Sequence, residues 1–199
     1  VHPWYFDVAY YGWGALNFMI GKRPKLRISP NRKESAIIKQ HTLRFIDEHI
    51  SITGEIRSTK QLKHTFNSEN IDAVIVGSDQ VWRKPFSPCI PNYFLDFLSG
   101  NNEIKKLAYA ASFGIDFWEY GKKETEYFKA LAQEFDAISV REDSAVELCK
   151  KHLGIDAIHV LDPTMLLDRS VYEALANSSI TGPSKGNLFC YVLDRSPEK

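Results

Sequence analysis

The sequence predicts an α/β fold with a Rossmann-like, doubly wound parallel sheet. Four short, mostly apolar runs each stop at a glycine or at a polar cluster, which is typical of parallel strands buried on both faces. Segments with apolar residues at helical spacing lie between these runs. Because strands and helices alternate in this way, we expect right-handed crossovers between neighbouring strands. The predicted strands are residues 71–76, 107–113, 137–140 and 157–160.

Helices are predicted before and between these strands. Apolar residues recur at roughly helical spacing over residues 34–49. A second helix is predicted over residues 59–67, and the hydroxyl of Thr59 can cap its first turn. Gly154 is expected to close the last of the helices as its C-cap. The helices between the later strands are predicted at residues 124–135 and 144–153.

One Rossmann-like α/β domain is predicted over residues 34–176. Residues 1–33, which are rich in aromatic and then in basic side chains, are expected to form an irregular or helical segment. Residues 177–199 begin as a linker rich in Ser, Gly and Pro and continue into a new apolar strand at 188–193. We interpret this strand as the first of a second domain that the chain does not contain.

Composition argues against several classes of function. The 25 basic and 25 acidic residues give a formal net charge of zero, whereas a nucleic-acid-binding surface needs a basic excess. The three cysteines form no C-x-x-C pair, so we expect reduced thiols. The histidines form no metal-binding pattern and the glycines no nucleotide-binding loop, so we expect neither a metal nor a cofactor. The sequence contains no apolar run long enough to span a membrane. We therefore predict a cytoplasmic protein, and this prediction is compatible with peripheral membrane association. Lys105-Lys106 and Lys150-Lys151 are predicted to face solvent.

In a sheet of this kind, ligands bind outside the carboxyl ends of the strands. The first such end is the segment of residues 77–82, in which Gly77 permits a tight turn and close approach to a ligand. Ser78 and Gln80 offer neutral hydrogen-bonding groups. Asp79 can bind a sugar hydroxyl or take its proton as a general base, and Trp82 can present an apolar face to a ligand. The structural alternative is a turn in which Asp79 is an N-cap and Trp82 belongs to the core.

Arg141 follows the third predicted strand and precedes a helix, with Glu142 beside it. A guanidinium presents a fork that matches carboxylate and phosphate oxygens, and a helix N-terminus adds free N–H groups. We therefore interpret Arg141 and Glu142 as substrate-contacting residues. The alternative is an ion pair between Arg141 and a nearby carboxylate that holds the strand end.

Two further strand ends complete the predicted crevice. Ser112 and Gly114 close the second strand with small residues, which leave room for a ligand or, alternatively, for close packing of a helix on the sheet. Asp162 lies in a turn after the fourth strand and is either a structural cap or a substrate contact. Because the strands are parallel, we expect these clusters to converge on one crevice.

Taken in order, five strings resemble the polysaccharide pyruvyl transferase family, over about residues 45–193. Each string alone is weakly specific, but their order and spacing together are specific. The strings are DAVIVGSDQVW at 72–82, YFLDF at 93–97, YAASFG at 109–114, SVREDS at 139–144 and VLDPT at 160–164.

The resemblance implies a glycosyltransferase-B-like architecture, with the active site between two Rossmann-type domains, of which this chain is the N-terminal half. It implies transfer of pyruvate from phosphoenolpyruvate to hydroxyls of a sugar or lipid-linked oligosaccharide in bacterial exopolysaccharide biosynthesis, with formation of a ketal and release of phosphate. It also implies that Arg141 binds phosphoenolpyruvate and that Asp79 acts near the acceptor or as the base. The general acid is expected in the second domain, so the chain alone is expected to bind weakly and to be inactive.

The sequence departs from the family pattern at three places. The usual opening strand and its Asn-x-Gly loop are not found, and residues 10–14 are at best a remnant of them. The second domain is missing after Leu193, and Arg83 stands where the family usually has Asn. Two alternative functions stay open: a nucleotide-sugar-dependent glycosyltransferase of similar fold, and a non-catalytic homologue that binds a glycan or a partner.

Overall fold

The computed structural model describes residues 32–177. The chain divides into two compact units, residues 1–160 and residues 161–199. The predicted N-terminal segment up to residue 31, and the linker and strand predicted after residue 177, lie outside the described residues.

Four parallel strands form the sheet of the first unit. Their order across the sheet is their order along the chain, so each strand pairs with the next one. The predicted α/β fold with a Rossmann-like parallel sheet is thereby confirmed, and within residues 32–177 the strand order runs in one direction. The strands are β1 (Ala73–Val76), β2 (Lys105–Ala111), β3 (Ala137–Val140) and β4 (Ile158–His159).

The longest strand, β2, has a neighbour on each side, with Ile75 paired to Leu107 and Ala108 paired to Ile138. The second half of β2 consists mainly of small residues, and the register to β3 shifts between Ala108 and Ala111. Small side chains suit a strand that is covered on both faces. The carboxyl ends of β1, β2 and β3 consequently lie side by side.

Helices α1 (Arg32–His49) and α2 (Thr59–Ser68) precede the sheet, close to their predicted bounds. The predicted cap of α2 was wrong by one residue, because Ser58 is the N-cap and its Oγ accepts a hydrogen bond from the Gln61 N–H at 3.2 Å. Ser58 has the extended backbone that an N-cap adopts, whereas Thr59 already lies inside the helix. The Thr59 hydroxyl instead donates to Asn92 Oδ1 at 3.2 Å.

The connections between strands carry the remaining helices of the first unit. Gly154 ends the last of them in the left-handed conformation, with φ of 68°, which confirms the predicted C-cap. These elements are α3 (Ile90–Tyr93), a 3-10 turn (Asp96–Leu98), α4 (Lys122–Ala132), α5 (Asp143–Leu148) and a π-helical turn (Cys149–Leu153).

Stacked aromatic rings fill the core under the carboxyl edge of the sheet. The Trp82 ring lies parallel to Phe94 with their centroids 4.9 Å apart, and Phe94 stacks in turn on Phe128 at 4.6 Å. All three side chains are buried. Offset ring pairs of this kind contribute about 0.5–1.5 kcal/mol each beyond the area that they bury. The core is therefore anchored directly beneath the turn that follows β1.

Lys106 departs from its predicted exposure, because its side chain is only 3% exposed and its Nζ lies 2.7 Å from Glu134 Oε2. Glu134 also accepts hydrogen bonds from Ser99 and from the Gly100 N–H. Burial raises the pKa of Glu134, but these hydrogen bonds outweigh it and hold that pKa below its usual value. Lys105, with 68% of its side chain exposed, faces solvent as predicted.

The second unit contains a 3-10 turn (Pro163–Met165) and helix α6 (Arg169–Asn177). Over the described part of the chain, residues 32–177, no helix is both long enough and apolar enough to span a membrane.

Candidate active site

Three of the predicted strand-end clusters are direct neighbours at the carboxyl edge of the sheet. The Ser112 N–H donates to Asp79 O at 3.0 Å, and the Trp82 N–H donates to Ser112 O at 3.2 Å. On the other side, the Arg141 N–H donates to Ala111 O at 3.1 Å. These backbone bonds carry the parallel pairing beyond the ends of the strands, and so the segments after β1, β2 and β3 form one continuous edge.

The turn after β1 has a backbone that only particular residues can adopt. Gly77 has φ of 129°, and a Cβ at this position would lie 2.0 Å from Tyr109 O, so the turn requires glycine. Asp79 has φ of 60°, a left-handed conformation that aspartate adopts more readily than most residues. The peptide bond between Gly77 and Ser78 is cis. This turn leaves 78% of the Asp79 side chain exposed.

The Asp79 carboxylate meets the guanidinium of Arg141 across the end of β2. Arg141 Nη2 lies 3.2 Å from Asp79 Oδ1, and Arg141 Nε lies 3.5 Å from Glu142 Oε1. The Arg141 side chain is 28% exposed, so one part of it is reachable from solvent. The structure thus brings together the two residues for which catalytic roles were predicted, 62 positions apart in the chain.

Ser112 links Glu142 to the end of β2. The buried Ser112 hydroxyl donates to Glu142 Oε1 at 2.5 Å and accepts from the Gly114 N–H at 2.9 Å. Glu142 Oε2 is also buried, and no hydrogen-bond partner reaches it within residues 32–177. A buried carboxylate oxygen without a partner is uncommon in proteins, and a ligand hydroxyl is one group that can satisfy it.

Gln80 and Gly114 pack closely against each other. A Cβ on Gly114 would lie 2.2 Å from Gln80 Oε1, and the φ of Gly114 is 65°. Gln80 Oε1 accepts a hydrogen bond from Arg83 Nη1 at 2.9 Å. Gly114 is therefore needed for the contact between two strand-end segments, which differs from the predicted alternative of a helix packed on the sheet.

Trp82 belongs to the core, and the prediction that its ring faces a ligand was wrong for this structure, in which the residue is 0% exposed. Its indole N–H donates to Tyr93 O at 3.0 Å, and its own carbonyl accepts from the Tyr120 hydroxyl at 2.5 Å. Burial, followed by the charges of Glu119 and Glu124, raises the pKa of that hydroxyl well above its usual range. Trp82 thus holds the turn that presents Asp79.

A cavity of about 370 Å³ opens beside Asp79. Phe86, Ser87 and Tyr93 were not predicted from the sequence as site residues. Phe86 lies in the segment that follows β1, and an aromatic residue after a strand end is a signal that could have identified it. Phe86 is 63% exposed. Among the described residues the cavity is lined by Asp79, Gln80, Val81, Phe86, Ser87 and Tyr93.

His159, at the end of β4, was also missed. Its Nε2 lies 3.0 Å from Arg141 O and its Nδ1 lies 2.6 Å from Asp143 Oδ1. The imidazole therefore braces the backbone at Arg141. Its position at a strand end, like that of the other site residues, is the signal that could have identified it.

Asp162 lies in the second unit, where Oδ1 accepts hydrogen bonds from the Thr164 N–H at 3.0 Å and from the Thr164 hydroxyl at 2.8 Å. This is the structural cap that was one of the two interpretations of Asp162. Within residues 32–177, no three His, Cys, Asp or Glu side chains are arranged to hold a metal ion.

A family model described as polysaccharide pyruvyl transferase matches residues 5–197, almost the whole chain. Comparisons with curated proteins and with solved structures find no match. The matched span contains every strand of the sheet and all the strand-end residues described above.

Proposed function

The chain belongs to the polysaccharide pyruvyl transferase family, and we propose that it transfers pyruvate from phosphoenolpyruvate to hydroxyls of a cell-surface glycan, forming a ketal. The observation that carries this proposal is the contact between Asp79 and Arg141, an exposed carboxylate and a cation 3.2 Å apart that meet across the end of β2. This arrangement combines a base with an anion-binding group at the edge where such sheets bind ligands.

The reaction forms two bonds from sugar oxygens to the same carbon, one after the other. A sugar hydroxyl oxygen bonds to C2 of phosphoenolpyruvate while the methylene carbon takes a proton, which gives a tetrahedral adduct. A second hydroxyl oxygen then bonds to C2 as the bond from C2 to the phosphate oxygen breaks. The products are the pyruvyl ketal and inorganic phosphate, which carries away the second proton. The reaction thus needs a base for the hydroxyl, an acid for the methylene and a cation for the oxygens.

Arg141 is assigned the cationic role in this proposal. A guanidinium can hold carboxylate or phosphate oxygens through two parallel N–H bonds, which fixes the orientation of the donor. Glu142 lies against Nε, and Ser112 holds Glu142, so the side chain of Arg141 is oriented by groups behind it. Preorganised charge of this kind stabilises the developing negative charge without reorganisation during the reaction.

Asp79 is assigned the role of the base. Its carboxylate is exposed and projects from a turn that the buried Trp82 holds in place. Because the donor oxygens and Asp79 Oδ1 compete for Arg141, donor binding loosens the ion pair and leaves Asp79 available to a sugar hydroxyl. In the same proposal Gly77, Ser78 and Gln80 keep their assignment as substrate contacts.

The proposal is tested on the full-length protein with phosphoenolpyruvate and extracted polysaccharide, by measuring phosphate release and ketal formation. Arg141→Ala is expected to abolish phosphoenolpyruvate binding while the fold is retained. Asp79→Asn is expected to lower kcat by about 100-fold or more, as loss of a general base does, without weakening donor binding. The matched control is Arg44→Ala, because Arg44 also pairs with a carboxylate, that of Glu48 at 2.9 Å, one turn along the exposed surface of α1.

Two results contradict this assignment. Unchanged phosphoenolpyruvate binding by Arg141→Ala would remove Arg141 from the donor site. A rise in melting temperature with a nucleotide sugar but not with phosphoenolpyruvate would instead support the glycosyltransferase alternative.

A further inference from the structure

We propose that the cavity beside Asp79 is the acceptor subsite and that Phe86 is the aromatic platform on which a pyranose ring lies. The choice of a sugar as the ligand rests on the proposed function. The cavity itself has a volume of about 370 Å³, within the range of about 300–1,000 Å³ that is usual for small-molecule sites.

The first argument is the exposure of Phe86 and the way it is held. The ring is 63% exposed, yet the Arg83 guanidinium carbon lies 4.8 Å from its centroid. Arg83 is itself fixed by the bond from its Nη1 to Gln80 Oε1. A cation placed over a ring in this way is attracted to it and restricts its motion. Phe86 is thus a large apolar side chain that is kept in place while most of its surface stays open to a ligand.

The second argument is the anchoring of the loop that carries Phe86. The Phe86 N–H donates to Arg83 O at 3.1 Å, which closes a turn. Within this turn, Lys84 Nζ lies 2.7 Å from Glu124 Oε1, and its backbone N–H donates to Glu119 Oε2 at 3.3 Å. The loop is therefore tied to the connection after β2 and to the first turn of α4. A platform of defined position needs this kind of support.

The third argument is the chemistry of the other lining groups. Ser87 donates its hydroxyl proton to Val81 O at 2.6 Å, which leaves its oxygen as an acceptor. Within residues 32–177, the hydroxyl of Tyr93 and the amide nitrogen of Gln80 have no hydrogen-bond partner. These groups are neutral, and among the described residues that line the cavity Asp79 is the one that carries a charge. A neutral, hydroxylated ligand with an apolar face fits such a surface.

These observations make Asp79 the residue that the two groups share. Arg141, to which an anionic donor is attracted, contacts the Asp79 carboxylate but is not among the described residues that line the cavity, whereas Asp79 and Phe86 both line it. In this proposal Asp79 is therefore next to both the donor and the acceptor, where a base must be to take a proton from the attacking hydroxyl. The specificity for the acceptor sugar would then reside in Phe86 and its neutral neighbours.

The test measures sugar binding without a donor. Saturation-transfer NMR with millimolar methyl glycosides of glucose, galactose and mannose is applied to the full chain and to Phe86→Ala, Phe86→Tyr and Phe117→Ala. Phe117 is the matched control because its ring is 61% exposed but does not line the cavity. We expect binding of at least one glycoside, weakened roughly five- to tenfold by Phe86→Ala. Phe86→Tyr and Phe117→Ala should bind as the unaltered protein does, and circular dichroism should show the same fold for all.

The inference is overturned if no glycoside receives saturation, or if Phe86→Ala binds as tightly as Phe117→Ala does. Phosphoenolpyruvate binding, measured by calorimetry on the same variants, separates this inference from the proposed function. Phe86→Ala is expected to leave donor binding unchanged. If the protein binds the glycosides through Phe86 but never binds phosphoenolpyruvate, the acceptor subsite stands and the proposed transfer reaction fails.

Discussion

Replacing Gly77 by alanine tests whether the turn after β1 is shaped by its neighbour strand. Gly77 has φ of 129°, a region in which residues with a Cβ pay about 1–3 kcal/mol. The added Cβ would also lie 2.0 Å from Tyr109 O and 3.1 Å from Tyr109 C. Both atoms belong to the backbone of the central strand, so they cannot rotate away, and overpacking of this kind costs about 1–3 kcal/mol. The reduced entropy of the unfolded chain offsets about 0.4–1 kcal/mol.

The net destabilisation expected for Gly77→Ala is therefore about 1–5.6 kcal/mol. For a chain of this size the melting temperature should fall by roughly 2–22 °C. The assay is urea unfolding followed by circular dichroism, with melting temperature as the second measure.

Two other glycines separate the causes. Gly100 has φ of 77° but nothing within 4 Å of its Cβ position, so Gly100→Ala carries the backbone strain without the overlap. Gly54 has neither feature, and Gly54→Ala should change stability by no more than about 0.5 kcal/mol. The expected order of destabilisation is Gly77, then Gly100, then Gly54. If Gly77→Ala is no more destabilising than Gly100→Ala, the close approach to Tyr109 does not shape this turn.

Two further predictions concern the buried hydrogen bonds around the site. Ser112→Ala leaves Glu142 Oε1 and the Gly114 N–H without their shared partner, so unfolding in urea should show a loss of about 1–3 kcal/mol, and an unchanged midpoint would contradict the bond. Tyr120→Phe removes the bond to Trp82 O and should cost about 1 kcal/mol at pH 8. The pKa of Tyr120 is higher in the folded protein than in the unfolded chain, where it is about 10. The Tyr120 hydroxyl therefore contributes fully to stability below a pH of about 10, and this contribution is lost as the pH rises further. Between pH 8 and pH 11 the unaltered protein should lose about 1.4 kcal/mol of stability relative to Tyr120→Phe, so that the variant becomes the more stable of the two, whereas a difference that does not depend on pH would show that this hydroxyl is not buried when folded.

The strands and the edge that carries the site could be predicted because both follow from local patterns. Apolar runs that stop at glycine or at polar residues indicate buried parallel strands, and parallel strands bring their carboxyl ends to one edge. The contact between Asp79 and Arg141 needs more than this, because it depends on which strands are neighbours. Strand β2 lies between their strands, ends at Ala111 and is followed by Ser112, and these small residues let the two side chains meet across its end.

Other features depend on tertiary packing that no local pattern encodes. Trp82 follows a polar turn and could equally have faced a ligand, but Phe94 and Tyr93 supply a ring to stack on and an acceptor for its indole N–H. Lys106 stands beside the exposed Lys105 at the start of β2. Its side chain can be buried because Glu134, from a later part of the chain, pairs with its ammonium group. In both cases a partner distant in sequence decides the burial.

The structural and functional interpretations of the turn after β1 are complementary. Trp82 satisfies its own part of the structural one, since its ring and both of its backbone polar groups are engaged within the fold, whereas the turn after Asp79 contains no helix for Asp79 to cap. Asp79, three residues earlier, is instead held in a left-handed conformation with most of its carboxylate exposed. A strained residue persists only where its surroundings determine its position, and here the buried ring supplies that constraint. It follows that a change confined to the core, such as loss of the Trp82 side chain, should displace the Asp79 carboxylate from Arg141 and impair transfer without removing any group that touches a substrate.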